Sequence, residues 1–157
     1  MPYELENRLV IGLASSALFN LEESDKVFRE QGELVYRDYQ RQHQNRPLAA
    51  GVAFPFIKRL LAINAISPSD PPIEVVLLSR NDPDTGMRVM NSIKHHQLDI
   101  TRALLLQGTL PDRYITARSI SLFLSANEDD IRQAACACYP SCYFLKSSHI
   151  DDPENTE

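Results

Sequence analysis

Short apolar runs, bounded by polar turns, constrain this chain more than any other feature. Arg8-Leu9-Val10-Ile11-Gly12-Leu13-Ala14 is one, and Ile73-Glu74-Val75-Val76-Leu77-Leu78 is another. Runs of this length that are apolar nearly throughout, rather than at every second position, belong to strands buried on both faces. Ala103 to Leu106 is a third candidate and Ser121 to Leu124 a fourth. Stretches with helical patterning lie between them. Strands alternating with helices predict a parallel sheet flanked by helices. Right-handed crossovers then bring the C-terminal ends of all strands to one edge.

The helical stretches carry their own start signals. Asn20 with Glu23 has capping-box spacing, and the helix is expected to reach about Gln44. Val27, Phe28, Leu34, Val35 and Tyr39 recur on one side, and Gly32 weakens the helix and is a candidate break within it. Pro47 to Pro55 reads as a loop, Phe56 to Asn64 as a short amphipathic helix, and Ser67 to Pro72 as a linker. A further helix is expected from Pro83 or Thr85 to His96, and a last one opens at Asn127, with Asp130 at cap spacing.

Composition excludes several classes. The 157 residues are the size of one domain, and 43% hydrophobic with 24% charged residues is ordinary for a globular chain. Sixteen Lys and Arg against 21 Asp and Glu give a net charge of −5. A nucleic-acid polymer or an anionic membrane would call for a basic excess. One nucleotide needs only a few local donors. No run is long enough for a bilayer span, and the acidic start has no signal-peptide core, so a cytoplasmic setting is expected.

The polar turns that follow the strands hold the candidate chemistry. Ser79-Arg80-Asn81-Asp82 follows a buried strand and precedes a helix. A hydroxyl, a guanidinium and an amide there, beside the helix's free N–H groups, can hold a phosphate. The same residues also serve as plain turn and cap residues. Ser15 and Ser16, after the first strand, can reach the same ligand or simply form a polar turn. Glu128-Asp129-Asp130 can supply a magnesium carboxylate, with Asp129 as the candidate ligand, or can merely complement a helix dipole. His95 and His96 are adjacent on a helix and point to different faces, so they do not share a metal. His43 is read as exposed. Cys136, Cys138 and Cys142, with His149 beyond, lack structural-zinc spacing and read as free thiols. There is no G-x-S-x-G elbow, phosphate-binding P-loop or dinucleotide fingerprint. No D-x-D follows any expected strand.

Several of these stretches, in order, resemble the cytosolic 5'-nucleotidase type I family. They are Leu9-Val10-Ile11-Gly12 running into Ser15 to Ser24, Pro47 to Pro55, Val76 to Gly86, Asn91-Ser92-Ile93, Leu98-Asp99-Ile100 and Leu122 to Asn127. The resemblance covers about Leu5 to Ala135. It implies a Rossmann-like α/β fold of the haloacid-dehalogenase (HAD-like) type. It also implies Mg²⁺-dependent hydrolysis of nucleoside 5'-monophosphates through an aspartate nucleophile.

Three departures from the family pattern stand out. The acidic segment of the form D-G-D-A-V-L-F, found later in longer family members, is missing. Thr116 stands where a lysine is usual. Ser16 runs directly into Ala17, where an arginine commonly follows the double serine. After Ala135 the cysteine- and aromatic-rich stretch also differs from the family's small-residue run.

The expectation is therefore an incomplete HAD-like sheet over 1–135 and a divergent, poorly ordered tail over 136–157. The chain is read as a truncated nucleotidase, weakly active or inactive, with a non-catalytic nucleotide-binding or interaction domain as the alternative. Ser15, Ser16, Ser79, Arg80 and Asn81 are the expected phosphate contacts, and no catalytic residue is assigned. The expected partner is a nucleoside monophosphate. Homo-oligomerisation is left open.

Overall fold

The computed structural model describes residues 8–80, 82–100, 102–105 and 120–145. The chain opens with β1 (Leu9–Ala14), α1 (Ser15–Leu18), α2 (Glu22–Gln31), α3 (Glu33–Gln42) and α4 (Phe54–Ala62). A 3₁₀ turn (Ile63–Ile66), β2 (Ile73–Ser79), α5 (Pro83–His95) and β3 (Arg102–Leu105) follow. Then come β4 (Leu122–Ser125), α6 (Glu128–Cys136) and β5 (Ser141–Tyr143).

The five strands form one sheet in the order β3-β2-β1-β4-β5, with every pair parallel. This is a Rossmann-like α/β arrangement. The register sets Ile11 beside Val75 on one side and Leu122 on the other. Side chains then sort by parity, as the pleat requires. Ile11, Leu13, Val75, Leu77 and Leu124 face a core shared with Ala17, Leu18, Ile57, Val89 and Ile93, from α1, α4 and α5. Val10, Ala14, Val76, Leu78 and Phe123 face a smaller core closed by Ile120 and by Ala134 of α6. Gly12 lies under Ile120, and a Cβ there would come 3.1 Å from two of its side-chain carbons.

Local structure differs from the sequence reading where packing overrides a turn signal. Ser15 to Leu18 wind into one helical turn instead of an open turn. The helix expected to reach about Gln44 is divided at Gly32, the candidate break, whose φ of 85° is one that an L side chain rarely adopts. Asn20 stays outside α2, and its side-chain oxygen accepts the Glu22 N–H at 2.9 Å. α4 starts earlier than expected, at Phe54, with Pro55 in its first turn, where a missing N–H costs nothing. α5 begins at Pro83, and the Asp82 carboxylate accepts from the N–H groups of Asp84 and Thr85. Ser141–Tyr143, inside the segment set apart as a tail, pair with β4 as the fifth strand.

Candidate functional site

The strand order creates one special place. From β1 the chain moves outward to β2 and β3, then returns to the other side of β1 as β4. At such a reversal the loops leaving adjacent strands diverge and open a crevice at their C-terminal ends. Here the crevice is a cleft of about 180 Å³, lined among others by Ser15, Ser16, Asp25, Arg80, Asn127 and Asp130.

Each lining group is placed by a strand end. Ser15 directly follows β1 and is buried, and its hydroxyl donates to Ser79 Oγ at 3.3 Å. Ser79 is the last residue of β2 and is fully buried, so it stands behind Ser15 rather than on the cleft wall. Ser16, one position on, is exposed at the rim. Arg80 leaves the end of β2 and forms an ion pair with Asp130, in the first turn of α6. Asp130 is itself buried, and its second oxygen accepts from Ser125 Oγ at 3.1 Å. Ser125 ends β4 and also accepts the Asn127 N–H at 3.0 Å. A hydroxyl, a guanidinium and a carboxylate from three strand ends thus meet across β1.

Of the residues expected from sequence, the structure brings Ser15, Ser16 and Arg80 to the cleft, with Ser79 beneath. Asn81 lies outside the described residues, as do Thr116 and His149. Asp129 is exposed, and its N–H donates to Asn127 Oδ1 at 2.9 Å. Its neighbour Asp130 is the acid that turns into the cleft. Asp25, in the first turn of α2, also lines it. In sequence both acids look like ordinary helix N-terminal carboxylates, and only the tertiary fold distinguishes them.

The metal expected from the resemblance can be tested against this donor set. Magnesium takes several oxygen ligands in near-octahedral geometry. Of the two carboxylates lining the cleft, Asp130 is committed to Arg80 and Ser125. Among the described residues no group of three or more His, Cys, Asp and Glu side chains is arranged to hold a metal ion. Among the described residues the protein thus presents no preassembled set of three magnesium ligands.

The start of α5, just past Arg80, is clamped from outside. Asp84 pairs with Arg41 at 3.0 Å and Arg37 at 3.4 Å, both from α3. The Arg41 hydrogen bond, more than any other influence, holds the Asp84 carboxyl below the usual range. Thr85 Oγ1 is hydrogen-bonded to the Tyr36 hydroxyl at 2.9 Å, and burial raises the Tyr36 pKa.

The remaining candidates are dispersed. His95 is exposed, whereas His96 is half-buried between Phe19 and Phe54, with Nε2 3.0 Å from the Leu48 carbonyl. His43 is half-buried rather than exposed, and stacks on Tyr39. Cys136, Cys138 and Cys142 are exposed free thiols. Among the described residues no helix is long and apolar enough to cross a membrane.

Comparison with known proteins identifies the family of the chain. The family model described as 5'-nucleotidase matches residues 1–157. Among similar curated proteins is Cytosolic 5'-nucleotidase 1B of Homo sapiens, 32% identical over 138 residues. That match covers 85% of this chain and 23% of the relative, so the chain spans less than a quarter of that protein's length. With the family model matched over its whole length, the chain belongs to the 5'-nucleotidase family.

Proposed function

We propose that the cleft at the end of β1 holds the phosphate of a nucleoside 5'-monophosphate, and that this chain carries the phosphate-holding part of a 5'-nucleotidase site. The observation that carries this reading is the meeting of Ser15 and Arg80 at the sheet's reversal point, with Ser79 bonded behind Ser15. Ser16 would donate a hydroxyl hydrogen bond to a phosphate oxygen, and Ser15 would do so by turning its single proton from Ser79 to the ligand while Ser79 donates to Ser15 Oγ in return. Arg80 would supply the charge-assisted fork, exchanging part of its contact with Asp130 for the ligand. Ser79 would orient Ser15, and Asn81 is proposed as a further contact at the same turn. The setting proposed is cytoplasmic, in line with the name of the human relative.

In the family chemistry, magnesium supplies Lewis-acid stabilisation of the transferring phosphoryl group. The role proposed for the described residues is binding and orientation, with Asp130 engaged by Arg80 and Ser125. The chain alone is therefore proposed to hydrolyse nucleotides weakly or not at all. Loss of a nucleophile costs on the order of a million-fold in well-studied hydrolases. A phosphate-release assay on the purified chain, with a nucleoside monophosphate and Mg²⁺, tests this. Turnover within a few-fold of an ordinary enzyme, about 10 s⁻¹, would overturn it.

The Arg80–Asp130 pair also favours a second reading, a nucleotide-binding domain without catalysis. A monophosphate that raises the melting temperature and is recovered intact would support it.

A further inference from the structure

A second cleft lies apart from the sheet edge. It has a volume of about 290 Å³ and is bordered by Asn20, the start of α2, the 46–49 loop and Arg88 of α5. Its inner wall is unusual in charge. Arg88 is only 3% exposed, and a guanidinium stays protonated at any ordinary pH. A buried charge is costly unless an opposite charge meets it. Among the described residues Arg88 has no carboxylate in ion-pair contact. Nη1 donates to Gln40 Oε1 at 3.0 Å and Ser24 Oγ at 3.3 Å, and Nε donates to the Arg46 carbonyl at 3.2 Å. The Tyr39 ring face lies 5.8 Å from the guanidinium carbon. All of these contacts are to neutral groups, and the Glu23 carboxylate acts on the guanidinium only through space.

A second cation stands at the mouth. Arg46 lines the same cleft, and its only ion pair among the described residues is a long one, 3.9 Å to Glu23. Exposed pairs at that distance contribute little and yield readily to a better partner. The Glu23 carboxyl is held below its usual range, first by a hydrogen bond with Tyr39, then by Arg46, with smaller contributions from Arg88 and His43. It is the group an incoming anion would displace from Arg46.

We propose that this cleft is an oxyanion-binding site, in which Arg88 is the buried cation and Arg46 the outer clamp. The ligand class is a small molecule bearing a phosphate or a carboxylate. The site is separate from the one at the end of β1 and does not depend on the reading given to that cleft. Two arginines converging from the inner wall and the mouth suit the planar fork geometry of either group.

The test uses the full chain and inorganic phosphate as probe, with succinate and a nucleoside monophosphate as parallel arms. Melting temperature is read at constant ionic strength, with chloride as control. Arg80→Ala, which disables the sheet-edge cleft, separates the two sites. The site exists as described if phosphate or succinate raises the melting temperature of the Arg80→Ala chain, and Arg46→Ala weakens that binding at least fivefold. Succinate alone, phosphate alone or the nucleotide alone would identify the source of the oxyanion. Arg88→Gln should abolish the shift. Should that variant not fold, Arg46→Ala and Ser24→Ala carry the test. No anion-specific shift, a shift lost in Arg80→Ala, or one indifferent to Arg46→Ala overturns the proposal.

Discussion

The Arg80 guanidinium, leaving the end of β2, is held by the Asp130 carboxylate from the first turn of α6, so β2 and β4 are bridged across the end of β1. The pair is asymmetric. Asp130 is buried and also takes a hydrogen bond from Ser125, whereas about a third of the Arg80 side chain is exposed to the cleft. Replacing Asp130 by Asn removes the competing charge and leaves Arg80 able to turn to solvent. The expected result is a stability loss of about 1–2 kcal/mol and a several-fold gain, roughly threefold to tenfold, in affinity for a nucleoside monophosphate. Thermal melts and titration calorimetry on Asp130→Asn check both.

Ser79 is placed to act through Ser15. Ser79→Ala removes the Oγ that accepts at 3.3 Å but keeps the backbone and the strand. Stability should fall by about 1 kcal/mol, and nucleotide affinity by a few-fold, about what one neutral hydrogen bond contributes. Ser15→Ala should cost more affinity than Ser79→Ala, because its hydroxyl is the one at the cleft wall. Calorimetry on the two variants side by side gives the order.

Gly51 has no room for a side chain. A Cβ would sit 2.6 Å from the Ala17 carbonyl oxygen and 2.8 Å from the Phe19 nitrogen, both backbone atoms that do not swing aside. The Gly51 N–H donates to the Leu18 carbonyl at 2.9 Å, so this loop is tied to α1 directly. Gly51→Ala is expected to cost about 1–3 kcal/mol by overpacking. A denaturant melt with unchanged slope and a lower midpoint would match; an unchanged midpoint would not.

Asp84 gives the chain a pH dependence of known sign. Its folded pKa lies below the unfolded one, chiefly through the Arg41 hydrogen bond. The stabilisation is therefore fully present above the ordinary aspartate range and is lost as pH falls through the folded value. Arg41 is well exposed, so solvent screening keeps the effect small. Asp84→Asn should lower the melting temperature at pH 7 and converge with wild type in strong acid. Parallel melts across that range measure it.

Much of this architecture is readable before folding, because strands buried on both faces leave a signal in consecutive residues. The β1 and β2 runs need no context, and Asp82 and Asn127 signal their helices through cap chemistry. Long-range pairing does not leave such a signal. Ser141-Cys142-Tyr143 is three residues with two exposed side chains, and becomes a strand only because β4 lies beside it. Asp130 differs from Asp129 by one step around a helix, and that step decides which acid is buried against Arg80. His96 reads as a helix-end histidine until Phe19 and Phe54 pack around it. Arg88 looks like any helical arginine, and its burial depends on α2 and α3 closing over it.

The central claim is that Arg80 and Ser15 form a phosphate-holding site at the sheet's reversal point. Titration calorimetry with a nucleoside 5'-monophosphate, on wild type and Arg80→Ala, tests it most directly. Binding to wild type, weakened at least tenfold in Arg80→Ala with a native-like melt, is the predicted result, since a charged hydrogen bond contributes about 1.5–3 kcal/mol. Equal affinity in the two chains, or none in wild type, would contradict it.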